Sequence, residues 1–308
     1  MHNQDIKRVG FACKFMHADQ SLKPKILKEI QGQYSETSTT ITWLNRQLTE
    51  TAEDKLWHCL VTNAQNAYRL IEYVGALPEG QRMVRLGSNM MPAYTHPDWK
   101  YFYKRTDVRD TAQREWSRVG DLARKLDVRV SMHPGQFVVL ASVNENIVNR
   151  SIEEFEYHAD IIRWMGYGRI TIENDENSWG IDSSLELEKD VALVMDIHHH
   201  WVNSQGEYID SNDDRCKRII DSWRGVRPSM HYSVSREDLL VDHARDQKPD
   251  YKKLLEQGFK KAKLRAHSDY MWNDAVNEWA GTFRKDFDIM VEAKAKNLAS
   301  IPFEEMTR

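Results

Sequence analysis

From Thr40 to Gly75 the apolar positions Ile41, Leu44, Leu48, Leu56, Leu60, Ala64, Ala67, Ile71 and Val74 recur at steps of three and four with one polar gap. That spacing predicts a long amphipathic helix, stopped by Gly75. A second helix opens at Thr106, with Ala112, Trp116, Val119, Ala123 and Leu126 as its buried stripe. A third is capped near Asn144, with Val148, Ile152, Phe155, Ala159 and Ile162 inward and Gly166 near its end. Short apolar runs of strand length lie between and after these helices, at 8–14, 83–88, 129–133, 169–174, 193–197, 227–232 and 287–292. Strands alternating with helices predict an α/β fold with a parallel sheet, here a TIM-like (β/α) barrel.

A full barrel of this type has eight strands, and seven are recognisable. The shortfall is placed by one turn. Only Tyr167 and Gly168 separate Gly166 from Arg169, whereas another strand and helix would need about 25 to 30 residues. The expected fold is therefore a barrel missing one βα unit, either open or more narrowly closed between the strand at Arg129 and the strand at Arg169. Barrels of this kind commonly form one unit of about 250 residues, so the 308 residues are expected to form a single domain spanning 1–308.

Composition changes this picture little. There is no apolar run long enough to span a bilayer, and MHNQDIKRVGF lacks the charged-then-apolar order of a signal peptide. A soluble, cytoplasmic monomer with no membrane partner is expected. Cys13, Cys59 and Cys216 are odd in number and form no CxxC, so reduced thiols are expected instead of a disulfide framework or zinc ribbon. The net charge of -4 weighs only weakly against a nucleic-acid partner, because bound divalent cations would make a cleft far more positive than the sum.

The candidate chemistry lies at the ends of the strands. ITIEND at Ile170–Asp175 and ALVMDIHHH ending at His200 are apolar runs that finish in carboxylates and imidazoles. Thr171 shares a face with Glu173, and Val194 with Asp196. Counting the other strand ends and their loops, the candidate metal ligands are His96, His133, Glu173, Asp196, His199, His231, His267 and Glu292. Any one of them alone reads best as a buried, hydrogen-bonded polar residue. Together at one barrel mouth they would be too costly to desolvate unless paired or bound to cations. Mixed nitrogen and oxygen donors suit zinc, manganese or iron, and shared carboxylates suit metals roughly 3.5 to 4 Å apart, which generate hydroxide near neutral pH. His58 and His158 are read as non-ligands, His158 as a helix-surface or supporting residue; His198 and His200 are set aside too, but past the strand end parity does not decide among the three histidines, and the choice of His199 rests on a family resemblance. The loop Tyr94–Arg105 interleaves Tyr94, Trp99, Tyr101, Phe102 and Tyr103 with Lys100, Lys104 and Arg105; it reads equally as a nucleic-acid groove or as rings packed over the barrel mouth. Asp250–Lys263, a basic helical stretch, reads as a solvated helix face before a DNA patch.

The blocks RVGFAC, VRLGSNMMPAYTHP, SMHPGQFVVL, ENDE, DIHHH, PSMHYS, RAHSDY and FDIMVEAKAK, in that order from Arg8 to about Asn297, resemble the UV damage endonucleases. These are TIM-barrel enzymes related to apurinic endonucleases of the endonuclease IV type. The resemblance implies a metal-dependent DNA endonuclease acting on damaged double-stranded DNA. It would incise 5′ to pyrimidine dimers and 6-4 photoproducts, and possibly at abasic sites, with about two or three divalent ions per chain, manganese being the usual one. It puts ligand roles on the same eight residues, and catalytic roles on Glu173, Asp196, His231 and Glu292. Lesion contacts fall on Phe11, Gln136 and Phe137, the last two as a pair wedged into the duplex opposite the lesion.

Three departures from the family are visible. Phe11 and Phe137 stand where tyrosine is common. Ser229 stands where the family often has a lysine that can join the metal environment. A further strand carrying a histidine, which in the family precedes END, is missing. A cation held through His133 and Glu173 would then keep two of three protein ligands and bind weakly. Two competing readings follow: a TIM-barrel metal-dependent sugar isomerase or epimerase, and a lesion-binding protein with reduced catalysis.

Overall fold

A computed structural model describes residues 2–135, 138, 140 and 144–308; Gln136 and Phe137 lie outside the described residues. The fold is a TIM-like (β/α) barrel of parallel strands: β1 (Val9–Ala12), β2 (Met83–Arg85), β3 (Arg129–Met132), β4 (Arg169–Ile170), β5 (Ile172–Glu173), β6 (Leu193–Asp196), β7 (Ser229–Tyr232) and β8 (Asp288–Val291). The residues group into two compact units, one chiefly 13–78 and 84–170, the other 3–12, 79–83 and 171–308.

In the first unit, the helices Thr49–Gly75 and Thr106–Lys125 pack together, as do Thr106–Lys125 and Glu145–Met165. Leu56, Leu60, Ala64, Ala67, Ile71 and Val74 are buried as their spacing predicts. Leu48 is not. It stands 79% exposed as the residue before the long helix, because the expected single helix from Thr40 is two, Ile41–Leu44 and Thr49–Gly75. Gly120 is required by close approach, since a Cβ there would come within 1.9 Å of the Met165 carbonyl oxygen. In the third helix the inward residues are Ser151, Tyr157, His158, Ile161 and Met165. The stripe anchored on Ile152 is therefore out of phase, Ile152 being 42% exposed. His158 is fully buried, which corrects its reading as a helix-surface residue. Asn144 caps this helix by accepting from the Asn146 N–H at 3.0 Å.

The tight turn after that helix is built as its glycines require. Gly166 and Gly168 have φ of +57° and +96°, backbone that side-chain-bearing residues rarely adopt. The expected strand 169–174 follows at once but is interrupted at Thr171, so one extended run supplies both β4 and β5 and raises the strand count from seven to eight. β4 pairs with β3, Ser131 opposite Arg169 and Met132 opposite Ile170. The edge between the strands at Arg129 and Arg169 is thus paired, and an open seam there is corrected.

In the second unit β5 pairs with β6, β6 with β7, β7 with β8, and β8 with β1, all parallel. Alternation sorts the side chains. Met195, Met230, Tyr232, Ile289 and Val291 join an apolar cluster with Trp201, Trp279, Phe283 and Phe303 from the surrounding helices. Each such side chain is worth about 1.5 to 3 kcal/mol on full burial. The opposite parity is left to Asp196, His231 and Glu292. The basic stretch Asp250–Lys263 breaks at Gly258 into the short helices Tyr251–Glu256 and Lys261–Leu264.

Candidate metal centre

β5, β6, β7 and β8 each deliver a polar group at or just beyond the C-terminal end. The parallel register sets Asp196 opposite His231 and Val291 opposite Tyr232, and Glu292 N–H donates to the Tyr232 carbonyl at 2.8 Å. Asn174, just past β5, fixes the neighbouring end: it accepts from Asp196 N–H at 2.8 Å and donates to the Asp196 carbonyl at 3.0 Å. Sequence reasoning passed over Asn174 as part of the END block. Its signal was an amide flanked by acidic residues at a strand end.

Asp196 ends β6 and caps the helix Ile197–Asn203. Its Oδ1 accepts from the N–H groups of both His198 and His199 at 2.7 Å. The strand parity that made the three histidines hard to rank therefore stops at Asp196, and helical geometry separates them. His199 turns toward the carboxylates, with Nδ1 3.5 Å from Glu173 Oε1 and 3.9 Å from Asp196 Oδ2. His198 stacks on Trp201, and His200 faces Glu207 at 3.1 Å.

The centre holds six of the expected ligands. His231 Nδ1 lies 2.8 Å from Glu173 Oε1 and 3.4 Å from Glu292 Oε1. His267 Nδ1 lies 2.9 Å from the Glu292 carbonyl and 3.9 Å from Glu292 Oε2, and its ring centroid is 5.9 Å from that of His199. Donor atoms of Glu173, Asp196 and His199 fall within 4.8 Å of one another, as do those of Glu173, His231 and Glu292. Asp196 and His231 are buried.

The electrostatics match this crowding. Burial, opposed by the charge of His199 and reinforced by Glu173 and Glu292, pushes the Asp196 carboxyl above its ordinary value. For His199, burial alone would depress the imidazole, but the Asp196, Glu173 and Glu292 carboxylates outweigh it and raise the value to about 10. His198 goes the other way, pushed well below the ordinary range by burial and by the charges of His267 and His199.

These residues fit a divalent cation. Asp196 Oδ1 is used by its two N–H donors, while the buried Oδ2 has no hydrogen-bond partner among the described residues. Leaving such an oxygen unmet costs several kcal/mol by order of magnitude, roughly 1 to 3 and more for a charged group. A cation meets it. The Asn174 carbonyl 3.0 Å from His199 Nδ1 is the kind of partner that takes the proton of a ligating imidazole and leaves its other nitrogen as donor.

His133 follows β3 in the first unit, its Nδ1 2.5 Å from the Pro134 carbonyl. His96 sits in a turn, a third exposed, with Nδ1 accepting from Asp98 N–H at 3.3 Å. Phe11 is 1% exposed within β1. Ser229 is buried on β7 with no hydrogen bond to its Oγ among the described residues. In the loop Tyr94–Arg105, Trp99, Phe102 and Tyr103 are buried and Tyr101 is 43% exposed.

Two further residues at the centre were not singled out from the sequence. Glu176 Oε2 lies 3.9 Å from His199 Nε2, and Glu176 Oε1 accepts from Arg265 Nη1 at 2.7 Å. The spacing of Glu176 three residues after Glu173 was the only hint.

The family model described as UV-endonuclease UvdE matches residues 7–169 and 167–307. A UV DNA damage endonuclease of Bacillus velezensis is 25% identical over 296 residues, 82% of this chain and 82% of the relative. One from Bacillus mycoides is 24% identical, covering 87% of each. Among solved structures, that of SacUVDE covers 97% of each chain at 22% identity with a TM-score of 0.66, a likeness of fold.

Proposed function

Because the chain belongs to the UV-endonuclease UvdE family, we propose that it is a DNA repair endonuclease that cuts damaged duplex DNA on the 5′ side of UV photolesions with the help of divalent cations. The observation that carries this reading is the set of carboxylates and imidazoles at the ends of β5 to β8, with a buried oxygen on Asp196 that has no hydrogen-bond partner among the described residues. Bound divalent cations supply a Lewis acid for the phosphodiester and hydroxide at neutral pH. Manganese, in about two or three copies, fits the mixed nitrogen and oxygen donors.

The chain's own groups have separable tasks in this reading. Glu173 stands between His199 and His231 and is placed to be shared. Asp196 is locked by its cap, so its free oxygen is aimed before any ligand arrives. Glu292 links His231 to His267. His96 and His133 remain assigned as ligands, and Gln136 with Phe137 as the pair that probes the duplex. A stacked ring is worth about 1 to 3 kcal/mol per base, so Phe137→Ala should weaken binding to photodamaged duplex much more than to undamaged duplex.

The test is nicking of UV-irradiated plasmid with manganese, beside binding of the same DNA. Manganese-dependent cuts confined to irradiated plasmid support the reading. Binding without cutting would favour a lesion-binding protein, and neither, with turnover of a ketose or aldose, an isomerase.

A further inference from the structure

One cation at the centre is only half committed. Arg265 is 42% exposed, and its single side-chain partner among the described residues is Glu176, which takes Nη1 at 2.7 Å. Nε and Nη2 have no protein acceptor among the described residues. Glu176 is 15% exposed and points its other oxygen at His199 Nε2, 3.9 Å away. Arg265 therefore sits one carboxylate away from a candidate metal ligand, with one edge of its guanidinium fixed and the other open.

The residues before it extend the same charge. Lys260, Lys261, Lys263 and Arg265 place four cations within six residues of a chain whose net charge is -4. Lys260 and Lys263 are exposed, and none of the three lysines has an ion-pair partner among the described residues. The helix Lys261–Leu264 ends at Arg265, and His267 follows two residues later. A solvated helix face would be expected to intersperse acids, as Asp213 to Arg218 does with the Asp213–Arg215 and Asp214–Lys217 ion pairs; this segment contains none.

We infer that Lys260–Arg265 is a phosphate track leading to the metal centre, in which the open edge of Arg265 grips a backbone phosphate next to the one being cut and Glu176 holds Arg265 in place. The inference rests on the endonuclease reading. A planar fork clamped on one side presents its remaining donors to phosphate with little rotamer freedom left to lose. Sequence-independent contacts of this kind set affinity and its salt dependence.

The test measures duplex binding against salt concentration in EDTA, so that metal loading is not involved, and steady-state nicking with manganese. Arg265→Gln should lower the slope of log affinity against log salt by about one and raise KM about tenfold, with kcat and metal content little changed. Arg265→Lys should restore the slope but only part of the KM. Lys260→Gln with Lys263→Gln, at exposed positions, should lower the slope by about two and keeps the test sound if Arg265→Gln folds poorly. Arg218→Gln, removing a cation already paired with Glu188, should leave the slope alone. Wild-type slope and KM in the Arg265 and lysine variants of a chain that nicks would overturn the track alone. A wild-type chain that neither binds nor nicks damaged duplex would overturn the endonuclease reading and the track with it.

Discussion

The loop Tyr94–Arg105 and the ends of β5 to β8 are both rich in polar and aromatic groups; from sequence the strand ends read as a functional surface, and the loop reads equally as a nucleic-acid groove or as packed rings. They differ in whether the protein itself meets their hydrogen-bonding needs. In the loop it does: Tyr94 hydroxyl donates to Asp160 at 2.7 Å, Tyr103 hydroxyl to the Pro92 carbonyl at 2.7 Å, Trp99 Nε1–H to Asn45 at 2.8 Å, Tyr101 hydroxyl to Glu53 at 3.0 Å, and Arg105 pairs with Glu53 and Asp107 at 2.6 and 2.7 Å. At the strand ends carboxylates crowd one another and Asp196 Oδ2 has no hydrogen-bond partner among the described residues. A satisfied group is architecture, while a buried carboxylate oxygen left without a hydrogen bond is tolerated where something else binds.

The largest expected effect breaks the strand-end half of that contrast. Glu173→Gln keeps size but removes a charge shared by His199 and His231, and nicking of irradiated plasmid should fall on the order of 10³-fold with the circular dichroism spectrum unchanged. Full manganese-dependent activity would place Glu173 outside the centre.

The loop half predicts the reverse, a loss of stability without loss of turnover. Phe102 is 1% exposed, so Phe102→Ala should cost about 3 to 5 kcal/mol in denaturant unfolding, with kcat of the folded fraction preserved. Tyr103→Phe, which removes one hydrogen bond to Pro92, should cost about 1 kcal/mol. If either variant instead loses affinity for damaged duplex at unchanged stability, the loop is a DNA surface and the contrast fails.

A smaller effect appears with pH. The His199 imidazole titrates at about 10 in the folded, metal-free chain against an ordinary 6.5. A folded value above the unfolded one gives stability that is fully present below pH 6.5 and is lost as pH rises through 10. The melting temperature of EDTA-treated protein should therefore fall across pH 7 to 10, and His199→Gln should flatten that fall. Superimposable profiles would mean that the imidazole does not answer to the carboxylates.

Much of the barrel was legible because strand and helix periods differ, and because Gly166, Tyr167 and Gly168 leave room only for a turn. The break at Thr171 was not, since five consecutive residues that pair with β3 first and β6 afterwards look like any other strand. Nor was the phase of the helix Glu145–Met165, where Ile152 is apolar yet exposed and His158 is polar yet buried; tertiary packing decided both. At the site, parity placed Glu173 and Asp196, but it could not rank His198, His199 and His200, which depend on a helix that begins at Ile197. Glu176 and Arg265 were hidden because their pairing joins segments 89 residues apart.

The claim that the strand-end carboxylates form a metal centre is tested most directly by manganese uptake of wild type and Asp196→Asn, followed by electron paramagnetic resonance titration. The asparagine can still accept from the His198 and His199 N–H groups and so keeps the cap, but it turns the unmet oxygen into an amide. The account predicts that wild type takes up manganese and that the variant loses at least one tightly bound ion while its metal-free fold persists. Equal uptake and equal affinity in the two proteins would contradict it.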